Sequence, residues 1–129
     1  MEQNNITGLQ HIGIPTDRMK ETLLFYTELG FQVKMQTKLK ETEKKVVFME
    51  LGNLVLEFYE STMLAKQSGA FNHICLNVTD IEGIFYKMSN ANCIFVDSEI
   101  KKLPFWEKGI AYFNVLGPNA EQIEFCEIL

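Results

Sequence analysis

The sequence predicts an α+β protein built from two tandem βαβββ modules, and three observations carry that prediction. The stretch QHIGIPT (10–16), a histidine set among alternating apolar residues, returns later as NHICLNVTD (72–80). Each copy is followed by a segment of helical periodicity with Phe-Tyr inside it (Phe25-Tyr26 and Phe85-Tyr86), and then by runs of strand character. An internal repeat of about 60 residues constrains the whole fold, so it is weighed before any single motif.

The first module spans 7–60. Residues 8–14 alternate around His11, with Ile12 and Ile14 on one face and Leu9, His11 and Gly13 on the other. Pro15 cannot donate to a sheet ladder and is expected to end the strand, and Thr16 or Asp17 suits a helix N-cap. Met19, Leu23, Leu24, Phe25, Tyr26 and Leu29 recur at helical spacing, and Gly30 follows as a C-terminal cap. Three strands then follow, FQVKMQT (31–37), KVVFMEL (45–51) and NLVLEFYE (53–60). The polar KLKETEKK forms a surface hairpin between the first two, and Gly52-Asn53 a tight turn between the last two.

The second module spans 70–129. FNHICLNV (71–78) reads as a strand, TDIEGIFYKMSNAN (79–92) as a helix capped at Thr79 or Asp80, and CIFVD (93–97) as a strand. A long connection, SEIKKLPFWEKG, leads to the strand IAYFNVL, and LGPN turns the chain into EQIEFCEIL. Phe105-Trp106 in that connection reads as an anchor for a long loop, with a lid as the alternative. Lys101 and Lys102 read as solvated, with contact to a substrate anion as the alternative.

Composition narrows the function. With 129 residues, 47% hydrophobic and 22% charged, the chain suits one compact domain or two small halves. A net charge of −5 argues against nucleic acid and anionic membrane surfaces as partners. No apolar run approaches the roughly 18–20 residues that span a bilayer, and the start MEQNNITG lacks the features of a signal peptide. Cys75, Cys93 and Cys126 make an odd set without CxxC spacing, as expected of reduced thiols in a cytoplasmic protein.

Each module places ligand-type residues on equivalent strands. In 53–60, Leu54, Leu56 and Phe58 face one way, and Val55, Glu57 and Tyr59 the other. In 121–129, Ile123 and Phe125 oppose Gln122, Glu124 and Cys126. One face of each module is thus apolar, fit for a helix, and the other offers a His from the first strand and a Glu from the last. A single strand histidine is more often a hydrogen-bonded core residue than a ligand, and a single terminal-strand Glu is usually solvated. Their repetition at equivalent places favours a shared role. An enclosed carboxylate is costly unless paired or bound to a cation. Two imidazoles and two carboxylates suit one divalent first-row ion (Ni, Co or Zn, with Mn or Fe as further options) and leave open positions for a substrate with adjacent oxygens. Cys75 and Cys126 share those faces, with packing the simpler reading for both.

HIGIPT, LEFYE, NHICLNVTD and LGPNAEQIEF, in this duplicated order, resemble the vicinal oxygen chelate superfamily of glyoxalases, epimerases, fosfomycin-resistance proteins, extradiol dioxygenases and bleomycin-resistance binders. The resemblance covers about Thr7 to Leu129. It implies a U-shaped, partly closed mixed sheet with helices outside, commonly in a homodimer. A His, Glu, His, Glu set is similar to that of glyoxalase I and falls on His11, Glu57, His73 and Glu124. Glutathione-using glyoxalases carry an Arg and an Asn where this chain has Pro15 and Ser61, so the resemblance leaves the thiol cofactor unassigned.

By that resemblance the expected activity is a metal-dependent lyase or isomerase reaction, a proton transfer beside a carbonyl of a small substrate. Glu124 is the favoured base and Glu57 the symmetric candidate. A small-molecule or drug binder without chemistry, and an epimerase or dioxygenase of the same superfamily, are the alternatives.

Overall fold

A computed structural model describes residues 5–91 and 93–129. The polar start (1–4) and Asn92, at the end of the expected second helix, lie outside the described residues. The chain divides into two compact units, Met1–Leu64 and Ala65–Leu129.

The first unit runs β1 (Ile12–Thr16), α1 (Met19–Glu28), β2 (Gln32–Lys38), β3 (Lys45–Leu51) and β4 (Leu54–Glu60). Its open sheet has the order β1-β4-β3-β2, with β1 parallel to β4 and the other pairs antiparallel. The helix covers the face that alternation marks as apolar. Tyr26 packs on Phe58 at 4.8 Å and on Phe31 at 5.3 Å between ring centroids, over fully buried Val47, Met49 and Leu56. Burying each such side chain contributes roughly 1.5–3 kcal/mol.

Two turns hold the elements in register. α1 ends when the Phe31 N–H bonds the Tyr26 carbonyl (3.0 Å) and the Gly30 N–H that of Thr27 (2.9 Å). Gly30 takes φ +104 between them, the paired closure that a glycine just past a helix permits. Gly52, at φ +58, supplies the positive-φ residue that a two-residue hairpin requires. KLKETEKK joins β2 to β3 as a hairpin, with Lys38 opposite Lys45.

The first strand departs from expectation. It begins after His11, not around it, and runs through Pro15 to Thr16. β1 stands at the end of its sheet's order, where a missing N–H leaves no ladder partner unmet. Neither Thr16 nor Asp17 is the N-cap of α1; Arg18 holds that position without a side-chain cap bond. Thr16 instead accepts the Arg18 N–H at 2.9 Å and meets the Thr22 hydroxyl at 3.1 Å, both threonines being buried.

The second unit runs β5 (Ile74–Asn77), α2 (Ile81–Ser89), β6 (Ile94–Phe95), β7 (Lys101–Leu103), β8 (Ile110–Leu116) and β9 (Gln122–Ile128). The order is β5-β9-β8-β6, with β5 parallel to β9. Asp80 caps α2 by accepting the Gly83 N–H at 3.1 Å. Phe85 packs between Phe95 and Phe113 on the helix side.

Here too the strands are shorter than the sequence suggests. β5 starts after His73, and α2 ends at Ser89. The expected strand 93–97 contracts to β6, and the long connection contains β7. Since β9 pairs along all of β8, β6 and β7 must lie end to end on its other edge, one strand broken at 96–100. Asp97 lies in the break. Its carboxylate accepts both the backbone and side-chain N–H of Asn114 (2.8 Å each), and Lys101 stands 3.4 Å away. A βαβββ order therefore holds in both units. Among the described residues no helix is long and apolar enough to cross a membrane.

Candidate metal centre

The four expected ligands form two matching pairs, one in each unit. In the first, Gly13 on β1 lies opposite Glu57 on β4, and His11 stands two positions before Gly13 on the same face. His11 Nε2 is 3.3 Å from Glu57 Oε1. In the second, Cys75 lies opposite Glu124, and His73 Nε2 is 2.9 Å from Glu124 Oε1. Both Glu carboxylates are on the face away from the helix, as alternation requires. Within neither unit do three or more His, Cys, Asp or Glu gather into a metal-sized group among the described residues.

Each ring is oriented through its other nitrogen. His11 Nδ1 contacts the Gln10 amide oxygen, and His73 Nδ1 the Asn72 amide oxygen at 2.8 Å. An amide oxygen only accepts, so Nδ1 is the donor and the neutral ring keeps its lone pair on Nε2. That lone pair faces a carboxylate oxygen. Two acceptors at this distance repel unless a proton or a cation lies between them. Phe48, opposite Glu57 in the register, sets its ring edge-on to His11 at 5.3 Å.

The surroundings of the two carboxylates differ. A Cβ at Gly13 would stand 3.3 Å from Glu57 Oε1, so glycine leaves the carboxylate its space. The equivalent position in the second unit carries Cys75, directly opposite Glu124 in the β5–β9 register. Desolvation first, then the negative charge of Glu124, pushes the Cys75 thiol up to about 12. Cys75 is therefore a protonated thiol at neutral pH, and an exposed residue instead of the buried packing residue of the sequence reading. Cys126 is buried, and its thiol is raised by the same two causes. All three cysteines are free.

Two residues beside Glu124 escape sequence reasoning. Asn114 lies directly opposite it on β8, and its amide donates to Asp97 and accepts from Gln122 at 3.1 Å. Burial raises the Asp97 carboxyl, but the Asn114 bonds and Lys101 outweigh it and hold the group below its usual value. An Asn and an Asp separated by a strand break have no sequence spacing that links them.

The connection read as an anchor or lid lies at the far end of this sheet. Trp106 is 68% exposed at φ +59, so it does not anchor the loop by burial. Lys101 pairs with Asp97, while Lys102 and Lys108 line a groove of about 410 Å³ with Leu103, Pro104 and Ile110.

Comparison with known proteins agrees with this architecture. The chain is 29% identical over 127 residues to the uncharacterized protein YwbC of Bacillus subtilis (strain 168), covering 92% of this chain and 96% of that one. A glyoxalase family protein of Bacillus cereus superposes with a TM-score of 0.81 at 12% identity, over 98% of this chain and 97% of the other. The fosfomycin resistance protein FosX of Listeria monocytogenes gives 0.75 at 13% identity, over 96% and 93%. At such identities these structures share the fold alone. The model of the glyoxalase/bleomycin resistance protein/dioxygenase superfamily matches residues 8–125, nearly the whole chain, and to that superfamily the protein belongs.

Proposed function

We propose that the protein is a metal-dependent lyase or isomerase of glyoxalase type, with His11, Glu57, His73 and Glu124 as ligands of one divalent ion. One observation carries this reading. In both units a histidine Nε2, with an amide oxygen set against its Nδ1, faces a carboxylate oxygen at 3.3 or 2.9 Å. Ligand atoms bound to one ion at about 2.1 Å and near right angles stand about 3 Å apart, so a cation fits both pairs. The orienting bond on the second ring nitrogen is the usual support of a metal-bound histidine. The space kept by Gly13 beside Glu57 fits the same role.

A bound divalent ion supplies Lewis-acid polarisation to a substrate with adjacent oxygens. The chain's own residues do the rest. The imidazoles keep fixed ring planes, and Phe48 holds His11 from one side. One glutamate takes the proton from the carbon beside the carbonyl and returns it to the neighbouring atom, a task within hydrogen-bond reach of a carboxylate on this face. Nickel, cobalt or zinc suits two nitrogen and two carboxylate donors. The substrate is a small molecule rather than a glutathione adduct held by arginine, because the one arginine, Arg18, pairs with Asp17 at the start of α1. We place the protein in the cytoplasm, where three free thiols stay reduced, and as a homodimer.

The test is metal stoichiometry after dialysis and reloading with Ni, Co, Zn and Mn. About one tightly held ion per chain in the wild type, lost in His73→Ala, is the expected result, followed by assays on methylglyoxal with several thiols. No specific uptake of any of the four would defeat the metal-enzyme reading and leave a ligand-binding module.

A further inference from the structure

The loop that joins β7 to β8 carries an exposed aromatic side chain in a backbone conformation that large residues avoid. Trp106, the chain's single tryptophan, takes φ +59 and stands mostly in solvent. A Cβ disfavours this left-handed region, and burial does not offset that here. Phe105, half-exposed, sets its ring edge-on to the indole at 6.3 Å between centroids. Strained positions of this kind cluster at sites that clamp a ligand.

The loop closes on a groove. Leu103 lies opposite Ile110 in the ladder, and Gly109 takes φ +90 between them. A Cβ at Gly109 would stand 3.0 Å from the Leu103 carbonyl oxygen, so glycine permits the close return. The Gly109 carbonyl accepts the Leu129 N–H at 2.9 Å, which brings the residue after β9 to the same place. The resulting groove of about 410 Å³ has the size of a small-molecule pocket, with an aliphatic wall from Leu103, Ile110 and Leu129.

Charge decides which molecule fits. Lys101 is already matched by Asp97 at 3.4 Å. Lys102 and Lys108 line the groove, and among the described residues neither has an ion-pair partner. Glu107 lines it too, so two ammonium groups against one carboxylate leave the groove positive, on a chain whose net charge is −5. An apolar molecule without charge would leave both lysines unmatched, and a cation would be repelled.

We propose that this groove binds an amphipathic carboxylate, its acid group held by Lys102 and Lys108 and its aliphatic chain laid on Leu103, Ile110 and Leu129 beside Trp106. The site is separate from the His73–Glu124 pair. Ile110 is four residues along β8 from Asn114, the residue opposite Glu124, or about 13 Å at the rise of a strand. The groove lies wholly within the second unit, and its occupation requires no metal.

The test uses the full chain and hexanoate, which does not absorb where tryptophan does, so that Trp106 reports binding directly. Hexanoate should change the Trp106 emission saturably, with a dissociation constant of about 1 mM, and shift the amide resonances of residues 102–110. Replacing both lysines, by Lys102→Gln and Lys108→Gln together, should weaken binding about tenfold. Lys102→Arg with Lys108→Arg keeps the charge and should stay within about twofold of wild type. 1-Hexanol should bind about tenfold more weakly than hexanoate, and hexylammonium should leave these amides unmoved.

The proposal is overturned if hexanoate at about 10 mM moves neither the emission nor the amides of this segment. Binding of 1-hexanol as tight as that of hexanoate would overturn it too, by reducing the groove to apolar surface. So would resonances of 102–110 that shift on dilution of the free protein, the sign that a second copy covers the groove.

Discussion

At the scale of single residues, the His–Glu pairs are framed by side chains that belong to neither pair. Gln10 and Asn72 set an amide oxygen against Nδ1 of each histidine, and a Cβ at Gly13 would stand 3.3 Å from a Glu57 oxygen. Asp97 does comparable work for the frame around Glu124. Its folded value is depressed, so its charge contributes stability above the ordinary carboxyl range, near 3.9, and that contribution is lost as pH falls through the lower folded value. Asp97→Asn should thus be about 1 kcal/mol less stable than wild type at pH 7. The difference should shrink in urea titrations below about pH 3.9. A constant difference across that range would remove the electrostatic part of the explanation. The His–Glu pair of each unit was legible in the sequence, because a duplicated His and Glu at matched places stand out against apolar alternation. The orienting amides were not, since an Asn or Gln before a histidine is unremarkable until the ring plane is known.

At the scale of elements, the sequence was informative about kind and order and less so about ends. Alternation located β3, β4, β8 and β9 to within a residue or two, because they have a helix on one face and neighbours on both edges. It misplaced β1 and β5, the first strand of each unit, which stand at one end of their sheets, although β2 at the other end of the first sheet was found to within a residue. It also missed β7, whose residues Lys101-Lys102-Leu103 have no strand character; their pairing is imposed by β8. Closure of α1 was legible because it depends on Gly30 itself. Gly30→Ala should cost about 1–2 kcal/mol, since a Cβ there would make only an ordinary contact with Leu51 Cδ1 at 3.7 Å and the penalty is the backbone conformation at φ +104. A urea midpoint equal to that of wild type would show that the turn relaxes to another closure. Hydrogen exchange should likewise find the amides of β6 and β7 opening before those shared by β8 and β9. Two short pieces pinned at Asp97 have fewer bonds to break than a seven-residue ladder.

At the scale of the whole molecule, the duplicated order is what ties sequence to superfamily. Two units with the same strand order each bring one histidine and one glutamate together, and on the proposed reading neither holds a complete ligand set alone. Metal binding should therefore be coupled to the stability of the native chain. Free metal at about 100 times its dissociation constant should add about 2.7 kcal/mol, seen as a higher melting temperature that EDTA reverses. His11→Ala and His73→Ala should each abolish that rise, whichever unit carries the change. A rise that survives either substitution would mean that the remaining pair binds metal by itself.

The outermost strand of the first sheet has a further consequence, for handling rather than catalysis. Every residue of β2 is exposed, Val33 and Met35 among them at nearly half of their surface, and among the described residues it pairs only with β3. An open strand edge is a template for further strands. What opposes that here is charge, on Lys34 and Lys38, and the first of these is already matched by Glu50 at 3.0 Å. Concentrated stocks should consequently keep best in dilute buffer near neutral pH. High salt screens the lysines and strengthens apolar association, and should bring on turbidity long before the fold itself gives way.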